Sequence, residues 1–207
     1  FCYTQLTNVE QEQNGVYNYD RTLKFDIAPI RASNSWPAAY EQNPPIEEAS
    51  ETLAWTVLVG AQPDGDTAAL WRYTEADAPD GWEQPAYDDS SWKEGKGAFG
   101  HKEGSEKFIT TPWQGKDIWL RSTFTYDGAS FQKAMLVIHY DNDTTVYLNG
   151  KPMFTADKWN DTYAGVEVTD AARPLLQEGE NTIAVHTRQD TGGQFIDLAL
   201  LIGSGSE

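Results

Sequence analysis

Residues 134–151, AMLVIHYDNDTTVYLNGK, decide the fold class. Ala134–Tyr140 and Thr145–Leu148 are short, apolar and rich in β-branched residues, which is strand composition. Asn149-Gly150 follows directly, and Lys151–Phe154 reads as the return strand. An Asn-Gly pair between two such runs marks a two-residue hairpin, because both central positions of that turn need φ > 0. In LVIHYD, alternation puts Leu136, Ile138 and Tyr140 on one face and Val137 and His139 on the other.

The same pattern extends outward. Leu53–Val59, Leu70–Thr74, Ile118–Tyr126, Val166–Val168, Thr182–Arg188 and Phe195–Ile202 read as strands. In TIAVHTR, Ile183 and Val185 face one way, His186 and Arg188 the other. DAPDGWEQPAYDDSSWKEGKGAFG, residues 77–100, is turn-rich, and Gly192-Gly193 suits a tight turn with φ > 0. Many short strands with few helical periods predict a mainly β protein, an antiparallel β-sandwich over residues 53–207. Upstream the text changes. Residues 1–6 (FCYTQL) look like one strand, 7–16 like a loop, and 24–35 have room for one helical turn. Residues 36–52, with Pro37, Pro44 and Pro45, read as a linker or an extended surface segment.

Composition narrows the function classes. Fifteen Lys and Arg against 32 Asp and Glu give a formal charge of −17. Such a field repels nucleic acid and anionic lipid, and no basic stripe offsets it. No apolar run approaches the roughly 18 residues of a membrane span. The single cysteine, Cys2, rules out an internal disulfide framework, and its apolar setting suits a buried thiol. Aromatic residues make up 13% of the chain, including eight Trp. Most of these rings are expected in the core, and stacking on a sugar ring is the usual functional use of an exposed Trp or Tyr. The charge is compatible with neutral partners such as sugars, although scattered acidic residues also read simply as solubility.

Placed on one sheet, strands 134–140 and 182–188 would join His139, Asp141, His186, Arg188 and Gln194 in one concave polar patch. Sugar hydroxyls need such mixed donors and acceptors beside an aromatic platform, for which Trp113, Trp119 and Trp159 are candidates. The bland alternative is a solvated or interdomain face. Two histidines without a third ligand make a weak zinc argument. Asp88, Asp89, Asp141 and Asp143 are candidate calcium ligands in YDDSSW and HYDND, although both stretches also read as polar turns. An EF-hand is rejected, since counting from Asp141 its Gly and Glu positions hold Val146 and Pro152. GKG (95–97) lacks phosphate-loop spacing. Asn142-Asp143-Thr144 and Asn160-Asp161-Thr162 are glycosylation triplets, a pattern that arises often by chance. Glu10 and Glu12 are a pair of carboxylates two residues apart, but a loop position outside the chemistry accounts for them as well.

The motif order WRYT, YDDSSWKEGKGAFG, TPWQGKDIWLRSTF, LVIHYDNDTTVYLNGK and LLQEGENTIAVHTRQDTGGQFIDLAL resembles the galactose-binding-like jelly-roll domains appended to secreted glycoside hydrolases. The opening YTQLTNVEQEQNGVYNYDR resembles the last strand and loop of the (β/α)8 catalytic barrel of family-two glycoside hydrolases. Tyr3-Thr4-Gln5-Leu6-Thr7, Glu10, Asn14-Gly15 and Tyr19-Asp20-Arg21 match, and Asn8 replaces the usual Asp. The resemblance implies a barrel remnant over 1–35 and a C-terminal piece of a larger retaining β-glycosidase. The paired catalytic glutamates would lie upstream, so this chain alone is expected to be inactive. Gln5, Asn8 and Glu10 would then sit at the rim of the parent's active site. No cofactor is required, though domains of this class often hold a structural Ca²⁺. The expected partners are carbohydrate and the parent's catalytic barrel, and the expected location is secreted or periplasmic. Two rivals stay open: a purely structural module that packs on the barrel, and a stand-alone hydrolase using Glu10, Glu12 or an Asp.

Overall fold

A computed structural model describes residues 53–61, 68–101 and 108–205. The expected barrel remnant (1–35), the linker (36–52) and the rim residues Gln5, Asn8 and Glu10 lie outside the described residues.

The described residues form strands β1 (Leu53–Val59), β2 (Leu70–Thr74), β3 (Lys93–Lys96), β4 (Phe99–His101), β5 (Thr111–Pro112) and β6 (Asp117–Tyr126). They continue with β7 (Lys133–Asp141), β8 (Asp143–Leu148), β9 (Lys151–Ala156), β10 (Ala164–Glu167), a single-turn helix α1 (Thr169–Ala172), β11 (Gly179–Arg188) and β12 (Gln194–Gly205). Two sheets result. The first runs β10-β7-β12-β4-β5, with β1 also paired to β12; the second runs β3-β2-β6-β11-β8-β9. Every pairing is antiparallel except β4 with β5. The chain is therefore mainly β, as its strand pattern predicts, and the two sheets make a β-sandwich.

Period-2 patterning fills the space between the sheets. Leu136 and Ile138 of β7 and Ile196, Leu198, Leu200 and Ile202 of β12 point inward from the first sheet. Ile118 and Leu120 of β6, Val146 and Leu148 of β8, and Ile183 and Val185 of β11 meet them from the second. Each such side chain, fully enclosed, contributes about 1.5–3 kcal/mol relative to exposure.

The Asn149-Gly150 turn joins β8 to β9 with φ of 48° and 78°, the left-handed pair that the sequence demands. Asn149 also works as a clamp. Its Nδ2 donates to Leu175 O and Asn181 Oδ1, each at 2.8 Å, and its Oδ1 accepts from Thr182 N at 2.8 Å. Asn181 is buried and donates to Gln177 O and Gly179 O. Thus the hairpin, the segment after α1 and the start of β11 share one hydrogen-bonded knot.

Two strands, β3 and β4, begin in what reads as turn text, and a third, β5, follows it. β3 (KEGK) is an exposed edge strand, β4 (FGH) has three residues and β5 has two. None is long enough to show a period. Gly192 takes φ of 87°, as its turn requires.

Candidate functional site

The sandwich divides the expected polar patch. β7 and β11 lie in different sheets. Both strands turn their apolar residues inward, so their polar residues point away from each other: His139 and Asp141 leave the outer face of the first sheet, His186 and Arg188 that of the second. Gln194 shares its strand parity with core residue Ile196, and its side-chain amide donates to Gly115 O at the rim. The single concave patch of His139, Asp141, His186, Arg188 and Gln194 is therefore corrected. Periodicity gives the face a residue occupies but not the sheet.

His139 is buried between Phe195, at 4.1 Å between ring centroids, and Tyr163, at 5.4 Å. Asp197, opposite His139 in the strand register, accepts the Tyr163 hydroxyl at 2.7 Å and is itself buried. His186 lies across from Trp119, stacked on its indole at 4.7 Å and 14°. One of its ring nitrogens, Nε2, makes a 2.8 Å hydrogen bond with Asp117 Oδ1.

The three Trp platforms fare differently. Trp113 is 0% exposed, inside the core, so it offers no ring face and is corrected as a stacking platform. Trp119 is 8% exposed with one face taken by His186, which corrects it likewise. Trp159 is 57% exposed. Sequence reading misses Trp55, on β1, at 45% exposed; within LAWTVLV it looks like any apolar strand residue.

Trp159 stands at one end of the sandwich because its neighbour is clamped there. Asn160 Oδ1 accepts from Tyr140 N and its Nδ2 donates to Ile138 O, both at 2.9 Å, while Asn160 N donates to Tyr140 O at 3.2 Å. The side-chain amide of the second glycosylation triplet is thereby committed to the end of β7. In the other triplet, Asn142 Oδ1 accepts from Asp190 N at 2.9 Å, and Asn142 N donates to Arg188 O at 3.3 Å. These bonds gather the β7–β8 corner, the β9–β10 loop and the β11–β12 loop at one rim. Its exposed side chains include Trp159, Asp143, Arg188 and Asp190, an indole and charges of both signs.

The calcium candidates are dispersed. Asp88 is exposed and accepts from Ser90 N at 3.0 Å, which is the turn reading of YDDSSW. The Ser90 side chain and N–H hold its carboxyl below the usual range. Asp89 is paired with Arg121 at 2.7 Å. Asp141 is buried, and Asp143 lies opposite Arg188 in register. Among the described residues, no three His, Cys, Asp or Glu side chains gather as a metal site.

The outer face of the second sheet carries a cover for which the sequence holds no signal. Trp82, Tyr87 and Trp92, from the β2–β3 connection, pack with Trp119, Ala184 and Tyr147 into a second apolar cluster. Trp82 and Trp92 stack at 6.3 Å, and Trp82 meets Tyr147 edge-on at 5.6 Å. Arg121 holds this cover from beneath, through Asp89 and the carbonyls of Trp82 and Gln84.

No protein-family model matches this chain, and no curated protein matches it. Solved structures do. A glycosyl hydrolase family 2 member from Bacteroides cellulosilyticus DSM 14838 is 19% identical over 72% of this chain and 20% of its own, with a TM-score of 0.50. A β-glucuronidase from Bacteroides uniformis is 16% identical over 72% of this chain and 18% of its own, also at 0.50. A β-glycosidase from Bacteroides vulgatus is 25% identical over 65% of this chain and 19% of its own, at 0.46. The likeness is one of fold. This chain spans about a fifth of the length of those structures.

Proposed function

We propose that this chain is a non-catalytic accessory module of an exported glycoside hydrolase of the family-two kind, with a galactose-binding-like jelly-roll sandwich. In this reading the module contacts carbohydrate at the rim around Trp159. The observation that carries it is that indole, large and exposed, on a loop that the adjacent Asn160 ties to the end of β7 by three hydrogen bonds, at the rim that also carries Asp143, Arg188 and Asp190. An apolar ring next to mixed donors and acceptors is what a sugar's CH face and hydroxyls require.

Four of the acidic side chains have structural partners. Asp89 holds Arg121, Glu75 accepts from Gln114 N and Gly115 N, Asp117 holds His186 and Asp197 holds Tyr163. A retaining glycosidase needs two carboxyls free to act as nucleophile and as acid/base. That pair is assigned to the barrel of a parent chain. Hydrolysis of a β-glycoside is thus the parent's reaction, and this chain alone is expected not to turn over nitrophenyl glycosides.

Isothermal titration against neutral mono- and oligosaccharides tests the rim. Measurable binding by the wild type, weakened about tenfold or more in Trp159→Ala with an unchanged melting temperature, is the expected result. Flat heats across the panel would sink the sugar-contacting reading. They would favour the second one, a structural module that braces the catalytic barrel. Trp55 and Val57 speak for that reading, since both are exposed apolar residues on one face of β1.

A further inference from the structure

The β8–β9 turn places a chemically labile pair in the chain. The side-chain carbonyl of an Asn lies within reach of the next residue's main-chain nitrogen, and a Gly there has no Cβ to hinder the approach. The fold leaves little choice at either position. Asn149 has φ of 48° and Gly150 of 78°, and a Cβ at Gly150 would collide with the Gln84 side chain. Of the residues that take left-handed φ readily, Asn alone carries an amide. This amide is used in full: Nδ2 donates to Leu175 O and Asn181 Oδ1, and Oδ1 accepts from Thr182 N, all at 2.8 Å.

The folded state blocks the reaction that the pair invites. Ring closure expels Nδ2, which here is held by two acceptors on other segments. Base must also remove the Gly150 N–H proton. Gly150 is buried, and the Gln84 side chain lies against it, donating to Gly150 O at 3.3 Å. An unfolded chain has none of these restraints.

We propose that Asn149-Gly150 is a modification site that folding closes and unfolding opens, a chemical record that the domain has come apart. The Gly150 nitrogen attacks Asn149 Cγ. The N–Cγ bond forms, the Cγ–Nδ2 bond breaks, and ammonia departs with the Gly150 proton. Water then opens the cyclic imide at either carbonyl, leaving aspartate or isoaspartate at position 149. Neither product suits the knot. Both exchange the side-chain amide for a carboxylate, so Leu175 O and Asn181 Oδ1 lose their donor and face a negative charge. Isoaspartate also adds a methylene to the main chain, inside the turn that sets Leu148 opposite Lys151. A chain converted while unfolded therefore returns to a less stable fold. This site does not depend on the carbohydrate reading.

The test follows the full chain by peptide mapping and mass spectrometry, at mildly alkaline pH, in buffer and across a guanidinium series. Asn14-Gly15, the same dipeptide, calibrates the rate in full denaturant, where the two sites should convert alike. In buffer Asn149 should convert at least about a hundredfold more slowly, because modification of an opened state tracks its population. At the unfolding midpoint its rate should be about half that in full denaturant. Converted chains, separated and returned to buffer, should melt below unconverted ones, and so should Asn149→Asp. Conversion in buffer within about tenfold of the denatured rate would overturn the proposal. So would an intact Asn149 in full denaturant, or a converted chain or Asn149→Asp that melts like the wild type.

Discussion

Arg121→Met is the substitution whose cost follows most directly from the structure. Met keeps most of the aliphatic volume and removes the guanidinium. Three acceptors then lose their donor: Trp82 O, Gln84 O and Asp89 Oδ2. Hydrogen bonds to a charged group contribute about 1.5–3 kcal/mol each. The three do not sum, because the Asp89 side chain is 27% exposed and Gln84 is exposed, so both regain water. Trp82 O is buried under the aromatic cover and regains none. We therefore expect a loss of about 3–4 kcal/mol, in line with breaking one side of a buried pair. For a domain of this size that is a melting temperature lower by roughly 10 °C. Urea unfolding followed by tryptophan fluorescence measures it, and also reports the loosened packing of Trp82 and Trp92. Coupling supplies the stricter check. Asp89→Ala should cost about 1–2 kcal/mol in the wild type and nothing, or a slight gain, in the Arg121→Met background, where the carboxylate has no partner. A total loss under about 1 kcal/mol, or equal effects of Asp89→Ala in both backgrounds, would refute the reasoning.

Two further outcomes concern stability. Asn149→Ala removes the clamp on Leu175, Asn181 and Thr182 and puts a Cβ-only side chain at φ of 48°, so urea unfolding should show a loss of about 2–4 kcal/mol. Tyr126 is buried and donates its hydroxyl to Ala129 O; burial, then the charge of Asp127, raises its phenol above the ordinary 10.0, against a smaller pull from Arg173. The unfolded phenol therefore ionises first. Stability on this account is level below pH 10 and falls as pH climbs from there through the folded value. Tyr126→Phe should flatten the alkaline slope of the urea midpoint, leaving the part due to Tyr147, which burial also raises. An unchanged slope would remove Tyr126 as its source.

Strands with a clear period are legible in the sequence itself. In IWLRSTFTY and LVIHYD alternation identifies the inward residues, and Asn149-Gly150 marks the hairpin. Sheet partnership is not legible, because a period of two is the same whichever neighbour a strand finds. Hence His139 and His186 look like members of one patch, although they leave opposite faces of the sandwich. Arg121 looks like an ordinary outward position on an antiparallel strand. Only the fold-over of residues 82–92, a tertiary event with no local signal, buries it. The same holds for Trp113, Trp119 and Trp159, chemically identical in sequence but 0%, 8% and 57% exposed.

The position of β12 has a consequence for how the molecule is made. β7 flanks it on one edge, and β4 and β1 share the other, so the first sheet is joined through this strand alone among those described. β12 is also the last of these strands to be synthesised. Leu53 must wait for Gly205, its register partner. At about 5–20 residues per second, the ribosome keeps β1 without β12 for roughly eight to thirty seconds. Throughout that interval LAWTVLV, without one charged or proline residue, is an uncovered strand edge. Completing the first sheet is thus the last event of synthesis among the described strands, and slower synthesis lengthens the wait rather than shortening it.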